Sequence, residues 1–461
     1  MRFLDKLISP QLQKVHSGKV RESFRIDSKT RMIVVSDRIS SFDSVLNNLI
    51  PNKGAVLNGI TNYWFEKTRD IVENHFIKAV DPNISLVKEA EPIKIEMIVR
   101  AYLTGSMWRG YEKGKRIFSG VEVADGLTKN QKFPQPIITP TTKEEHDREI
   151  TPTQIFDEGW TTEEIYRKMD NIARALFDIA SRELDEKGLS LVDTKYEFGL
   201  IDGEIILIDE IHTPDSSRFW DKKAYEKDPL RVDSIDKEYV RQWLLNNRKD
   251  GVLPDKLPQE VIAETSRRYQ NIYKKITGKE FGRSEVDITT RVHHNLVDAG
   301  IIKDGYVVLI MGSPNDKPHC LKIADILKEY DVYTEFRVVS AHKNGERIPE
   351  LASVYNNSLE PGAVIAVAGR SNGLGGALSA NLNLPVINCP PFKDKTDLMV
   401  NINSSLMMPS QTPAMTVIDP KCAALAALRT LNLSRLRTLF IKEIVRIKQD
   451  LIKADTEINK N

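Results

Sequence analysis

Hydrophobic and polar positions keep two different rhythms along this chain. Over roughly the first 280 residues, short apolar runs bounded by polar or glycine residues mix irregularly with helical stretches. "RMIVVSDRIS", "IKIEMIVRAYL" and "GEIILIDEI" are apolar and rich in β-branched residues, which predicts strands. "TTEEIYRKMDNIARALFDIASRELDEKG" predicts a helix: Thr161 or Thr162 caps it, Glu163 and Glu164 occupy its first turn, and Gly188 stops it. Its residues Ile165, Met169, Ile172, Ala173, Leu176 and Ile179 fall on one face. With no regular strand–helix beat, this half reads as α+β. The lysine-rich "YKKITGKEFGRSE" then leads into "HHNLVDAGIIKDG", and residues 281–304 read as a linker.

From residue 305 the pattern changes. "GYVVLIMGS" is a continuous apolar run, as expected of a strand buried on both faces, and "KPHCLKIADILKEY" after it is an amphipathic helix. "EFRVVSAHK", "AVIAVAGRSN", "LPVINCPP" and "AMTVIDP" predict further strands, most of them separated by helical or small-residue segments. This alternation predicts a doubly wound parallel α/β sheet, whose ligands bind beyond the carboxyl ends of the strands. The polar segments fall there: Gly312-Ser313-Pro314-Asn315-Asp316, Ser340-Ala341-His342-Lys343 and Arg370-Ser371-Asn372. The final "SRLRTLFIKEIVRIKQDLIKADTEI" predicts a basic amphipathic helix that packs on a neighbour or a subunit.

A length of 461 residues exceeds what one core comfortably supports, so two domains are expected, 1–280 and 305–461. The formal net charge of +1 gives no argument for a nucleic-acid or membrane partner. Three cysteines without a C-x-x-C pairing exclude a disulfide scaffold and a sulfur-rich zinc site, and they fit a reducing cytosol. No secretory signal and no membrane span is expected, so the protein reads as cytoplasmic.

The stretch "AGRSNGLGG" invites a dinucleotide-binding reading and fails it. Gly373-Leu374-Gly375 is followed by Gly376-Ala377-Leu378, and the segment does not follow the domain's first strand. A tight turn needing positive φ is the plain alternative. Its neighbours carry more chemistry, since His342 and Lys343 end one strand while Ser313 and Asp316 follow another. "GSPND", "SAHK", "AGRSNGLG" and "LPVINCPP" resemble the phosphoribosylaminoimidazole carboxylases, specifically the class that takes carbon dioxide directly. The mutase class of that family typically reads S-A-H-R and A-G-A-G-G-A-A-H-L-P-G at these loops; Lys343 and Arg370-Ser371-Asn372 stand here instead. Pro314-Asn315 departs from the family, which often has a small residue followed by serine. The resemblance implies His342 as the proton carrier, a role an imidazole suits at neutral pH, with Lys343 beside it. It further implies that Gly312, Ser313, Asp316, Ser340 and Lys343 hold the nucleotide, while Arg370, Ser371 and the Gly373 backbone bind the carboxylate or carbon dioxide.

The densest constellation in the first half is "LVDTKYEFGLIDGEIILIDEIHTPDSSRFW". Asp193, Lys195 and Glu197 alternate and so share one face of a strand. Across a Gly203 turn come Asp209 and Glu210, and Asp215-Ser216-Ser217-Arg218 closes the segment. Two carboxylates facing across a hairpin suit Mg2+; a solvated charged hairpin is the plain alternative. "SGKVRE", "SDRISSFD", "EMIVRAYLTGSMW", "TPTTKEEHD" and "DTKYEFG" resemble, in order, phosphoribosylaminoimidazole-succinocarboxamide synthase, also called SAICAR synthetase. That resemblance implies an ATP-driven amide synthesis in which Gly18, Lys19 and Arg21 cover the ATP phosphates and Glu197 and Asp209 hold Mg2+. Arg100 and Ser106 take the substrate phosphate, and Lys195 and Arg218 meet carboxylates of the imidazole substrate or aspartate. His146 and Asp147 are further candidates, in a loop.

Together the resemblances imply a two-lobed α+β SAICAR-synthetase-like domain, then a three-layer, flavodoxin-like α/β carboxylase domain. The expected partners are small molecules: aminoimidazole ribotide, carbon dioxide and L-aspartate. A homo-oligomer, octameric through the carboxylase domain, is implied as well. Two alternatives stay open: a synthetase fused to a mutase of the N-carboxylated nucleotide, or to a non-catalytic oligomerisation module.

Overall fold

A computed structural model describes residues 3–42, 44–144, 147–232, 237–282, 286–369, 371 and 373–459. The chain divides into two compact units, one of Met1–Lys6 with Lys14–Ile288, the other of Leu7–Gln13 with Thr289–Asn461. Among the described residues, no helix is long and apolar enough to cross a membrane.

The first unit is built on two five-stranded sheets. One runs in the order β1 (Gln13–Ser17), β2 (Arg21–Arg25), β3 (Thr30–Val35), then β5 (Ile84–Lys88) and β4 (Phe76–Asp81). The other runs β7 (Lys132–Thr142), β6 (Glu91–Tyr102), β8 (Leu189–Ile201), β9 (Glu204–Ile208), with β10 (Ser217–Asp221) pairing the first half of β8. The stretch "RMIVVSDRIS" gives two strands rather than one, Thr30–Val35 and Arg38–Ser41. The break falls at Ser36-Asp37, where the buried Asp37 carboxylate accepts the backbone N–H groups of Leu4 and Gly54, each at 2.9 Å.

Helices α1 (Lys53–Lys67), α2 (Gly105–Glu112), α3 (Glu163–Glu186) and α4 (Gln259–Thr277) complete what positions the site. Helix α3 starts where Thr162 Oγ1 accepts the Ile165 N–H at 3.3 Å, and it ends before Gly188 at φ 72°. Its buried face is Tyr166, Met169, Ala173, Leu176, Phe177, Ala180 and Leu184, so the expected Ile165, Ile172 and Ile179 form the flank of the stripe. Together with Trp64 and Phe65 of α1 and Tyr196 and Phe198 of β8, these side chains make the main core.

In the second unit, five parallel strands lie in the order β12 (Tyr333–Val338), β11 (Tyr306–Met311), β13 (Gly362–Val367), β14 (Val386–Asn388) and β15 (Met415–Thr416). Counted along the unit this is 2-1-3-4-5, the flavodoxin-like order. Alternation along each strand separates two cores. Val307, Leu309 and Met311 pack with α5 (Lys317–Glu329), α8 (Pro420–Leu431) and α9 (Ser434–Ile458). Tyr306, Val308 and Ile310 pack with α6 (Ile348–Asn356) and α7 (Gly373–Ser379) on the other face. The segment read as a linker carries a helix over Ile288–Asp298. Residues 7–13 belong to this unit: Leu359 N–H donates to the Ile8 carbonyl at 2.9 Å, Ser9 Oγ bonds Glu360, and Gln11 Nε2 donates to the Lys303 carbonyl at 3.0 Å.

Gly362 pairs with Tyr306 in register, and a Cβ there would occupy the space of the fully buried Tyr306 phenol. We expect Gly362→Ala to destabilise the second unit by about 1–3 kcal/mol, through overpacking rather than strain at positive φ. A lowered melting temperature in calorimetry of the full chain checks this; an unchanged one would show that the phenol ring yields freely.

Candidate active sites

Strand β8 lies inside its sheet, so its charged face must find partners there. Register sets Asp193 opposite Arg100 on one side and Arg218 on the other. Arg100 Nη1 lies 3.4 Å from Asp193 Oδ2, Arg218 bonds the same oxygen, and Arg100 Nε donates to Thr139 Oγ1 at 2.9 Å. Burial pulls the Arg100 guanidinium down from its ordinary value, and Asp193 opposes this. Gly105 stands at φ 59°, and a Cβ on it would come within 2.7 Å of Arg218 Nη2. Only a glycine lets the start of α2 lie on that guanidinium, and Ser106 follows it, exposed in the first turn.

Two residues along, Lys195 Nζ donates to Glu96 Oε1 at 2.7 Å and to Glu197 Oε1 at 2.6 Å, and Lys143 bonds Glu197 as well. Arg21 bonds both Asp209 and Glu210. Asp209 follows the end of β9 at φ 65°, where the strand stops. Glu197 and Asp209 face each other closely. Burial and the Asp209 charge push the Glu197 carboxyl up to about 7, against the pull of Lys195 and Lys143. Burial would raise Asp209 too, but Arg21 and Lys195 hold it well below the carboxylate range. These groups line a cleft of about 460 Å³ together with Gly18, Lys19 and His75. Gly18 N–H donates to the Arg21 carbonyl at 2.8 Å, which makes Gly18–Arg21 a tight turn over the cleft. Burial drops the His75 imidazole to about 4, so it is neutral at pH 7. Asp215, also on the cleft, accepts from the fully buried Lys53 at 2.8 Å and from Tyr269 Oη at 2.7 Å.

Among the described residues, no group of three or more His, Cys, Asp or Glu side chains is arranged to hold a metal ion. The Glu197–Asp209 pair fits a different arrangement. Two like charges in contact are relieved by a dication that takes its remaining ligands from water and phosphate, as Mg2+ does.

In the second unit, the loops after β11, β12 and β13 leave the carboxyl edge of the sheet side by side. After β11, Gly312 N–H donates to the Val367 carbonyl at 2.9 Å, and a Cβ on Gly312 would stand 3.2 Å from Ala368 Cβ, so the first and third loops touch. Ser313 Oγ accepts the Asn315 N–H at 3.3 Å, and the half-buried Asp316 has its carboxyl raised by that burial. After β12, Ser340-Ala341-His342-Lys343 forms a turn in which His342 and Lys343 are exposed. After β13, Gly373 N–H donates to the Ser371 carbonyl at 3.0 Å. A Cβ on Gly373 would lie 3.0 Å from His342 Cε1 and 3.2 Å from Nε2, so the second and third loops meet at the imidazole.

The structure thus gathers Gly18, Lys19, Arg21, Lys195, Glu197 and Asp209 on one cleft, and Arg100 and Arg218 around Asp193, with Ser106 next in sequence to the Gly105 that packs on Arg218. It places Gly312, Ser313, Asp316, Ser340, His342, Lys343, Ser371 and Gly373 at one sheet edge. Arg370 and His146 lie outside the described residues. Glu96, Lys143 and Asn344 were not anticipated; each enters through cross-strand register or loop closure, which a single sequence carries no local signal for. Asp193 and Asp215 stood in the motif without an assigned role.

A family model described as SAICAR synthetase matches residues 14–255, and one described as AIR carboxylase matches residues 306–450. The chain is 42% identical over 300 residues to phosphoribosylaminoimidazole-succinocarboxamide synthase of Legionella pneumophila strain Paris, covering 61% of this chain and 94% of that protein. A Flavobacterium psychrophilum protein of the same name is 40% identical over 300 residues, covering 63% and 95%. The solved SAICAR synthase from Saccharomyces cerevisiae, complexed with SAICAR, superposes with a TM-score of 0.55 at 34% identity, over 61% of this chain and all of that one. With the cleft of the first unit and the three-loop edge of the second, these matches establish that the chain belongs to the SAICAR synthetase family and carries an AIR carboxylase domain in the same polypeptide, a bifunctional enzyme of purine biosynthesis.

Proposed function

We propose that the second unit carboxylates aminoimidazole ribotide with carbon dioxide directly, and that the first unit joins the product to L-aspartate at the expense of ATP. For the first unit, the observation that carries this reading is the Glu197–Asp209 pair beside the Gly18–Arg21 turn. Gly18, Lys19 and Arg21 hold the ATP phosphates by backbone N–H groups and positive charge. Glu197 and Asp209 hold Mg2+, which when bound neutralises phosphate charge. The imidazole carboxylate takes the γ-phosphoryl group to give an acyl phosphate and ADP. The amine of aspartate then attacks the acyl carbon, a C–N bond forms, and inorganic phosphate leaves. Arg100, Arg218 and Ser106 bind the substrate phosphate or carboxylates, with Asp193 fixing both guanidiniums. The yeast relative's complex with SAICAR supports a product of this shape.

For the second unit, the carrying observation is His342 against Gly373 at the edge where the three loops meet. The ring carbon of aminoimidazole is enamine-like and attacks carbon dioxide without ATP. His342 removes the proton left on that carbon, while Gly312, Ser313, Asp316, Ser340 and Lys343 hold the nucleotide and Ser371 and Gly373 receive the carboxylate. We place the enzyme in the cytoplasm and read it as a homo-oligomer through this unit. Helix α9 leaves Ile441, Ile444, Val445 and Leu451 exposed along one side, a face that a second copy would cover.

Three outcomes test this reading. With aminoimidazole ribotide and bicarbonate alone, carboxylated imidazole should form, and EDTA should leave its rate unchanged while stopping ATP- and aspartate-dependent amide synthesis. Turnover only of the N-carboxylated nucleotide would replace the carboxylase with a mutase. His342→Asn should lower carboxylation at least ~100-fold and leave amide synthesis intact, the scale of a lost general base; an unchanged rate would leave the unit a scaffold. Arg218→Ala should raise the KM for the carboxylated nucleotide about tenfold or more, as expected for a lost charge-assisted contact. A change confined to kcat would move Arg218 away from substrate binding.

A further inference from the structure

We propose that Asn344 is a positioning residue for carboxylation, whose side-chain amide closes the loop that presents His342. The inference rests on the assignment of His342 as proton carrier. Strand β12 runs parallel to β11, and the last bond of their ladder joins Val339 N–H to the Met311 carbonyl at 3.0 Å. Successive N–H groups of a strand point to opposite sides, so the N–H of Ser340, next after Val339, faces away from β11 on the edge of the sheet and beyond the end of β12, with no strand to meet. A half-buried amide without an acceptor is costly. Asn344 Oδ1 takes that N–H at 2.7 Å.

The return bonds come from the main chain. The Ser340 carbonyl accepts from Lys343 N–H at 3.3 Å and from Asn344 N–H at 3.1 Å. Residues 340 and 344 are therefore bonded to each other in both directions, by backbone one way and by side chain the other. His342 stands at the crest of this closed loop, with its ring against Gly373. Two constraints fix the imidazole: the glycine surface beside it and the closed turn beneath it. A proton carrier displaced by about 1 Å loses much of its rate. Aspartate at this position would accept equally well, but it would add a negative charge beside groups assigned to an anionic nucleotide. Asparagine supplies the acceptor without the charge.

The test compares Asn344→Leu, which keeps the side-chain outline and deletes the acceptor, with Asn344→Asp, which keeps the acceptor. Both are made in the full chain and read by hydrogen exchange of the peptide spanning 336–345, by carboxylation kinetics, and by amide synthesis as internal control. For Asn344→Leu we expect faster exchange in that peptide and a kcat for carboxylation lowered about tenfold, with KM changed less than about threefold and amide synthesis unchanged. Asn344→Asp should keep the protection and hold kcat within about threefold, with any loss falling on KM. An Asn344→Leu enzyme that keeps both its kcat and its protection overturns the proposal, as does an Asn344→Asp enzyme equally impaired in kcat. If Asn344→Leu loses amide synthesis as well, it has failed to fold, and Asn344→Gln, which displaces the acceptor by one methylene, takes its place with the same expectations. If the wild-type chain forms no carboxylated imidazole, the assignment of His342 fails separately, and exchange alone decides whether Asn344 closes the loop.

Discussion

Ionised side chains on an inner strand are tolerated only where opposite charge meets them, and β8 meets that demand three times in succession. Asp193 stands between Arg100 and Arg218, Lys195 between Glu96 and Glu197, and Glu197 takes Lys143 as well. Alternate residues share a face, so a single register satisfies all three positions, and a slip of one residue would turn every charge toward the opposite side. Strand pairing and site geometry are therefore one constraint. The chemistry of the cleft follows from it, because the same register sets Glu197 beside Asp209 and beneath the Gly18–Arg21 turn.

The second unit solves a different problem with the same periodicity. Its central strands β11 and β13 are buried on both faces, so neither face of the sheet's middle is left for polar chemistry. What remains is the edge where the ladders run out. Parallel strands end together, and the backbone groups freed there must be bonded by loop residues or by ligand. Gly312 and Ser340 stand where a strand has just stopped, Gly373 opens the helix after the third loop, and the loops pack closely because Gly312 and Gly373 lack a Cβ.

Much of this was legible in the sequence. The change from irregular to regular alternation near residue 305 predicted the two fold classes, and the terminal helix matches the stretch "SRLRTLFIKEIVRIKQDLIKADTEI" residue for residue. The alternation of Asp193, Lys195 and Glu197 placed them on one face before any partner was known. The partners themselves were hidden. Glu96 is 101 positions from Glu197 yet directly opposite it in register, and nothing local marks it. Nothing local marks the partner of Lys53, whose ammonium is wholly buried on Asp215, 162 positions away. The break inside "RMIVVSDRIS" was also invisible, since its cause is an Asp37 carboxylate bonded to Leu4 and Gly54. Pattern reports what a residue's neighbours in the chain require; long-range pairing reports what the fold requires.

Residues 7–13 belong to the second unit although they precede nearly all of the first. Ser9 and its partner Glu360 are 351 positions apart. During synthesis Ser9 leaves the ribosome before nearly all of the first unit, and Glu360 only after it. The early segment has to wait for that partner while the first unit is made, and the second unit is completed by a segment made before nearly all of the first. A single cut of the chain between the units leaves residues 7–13 on the wrong side, so the second unit is whole only in the joined polypeptide.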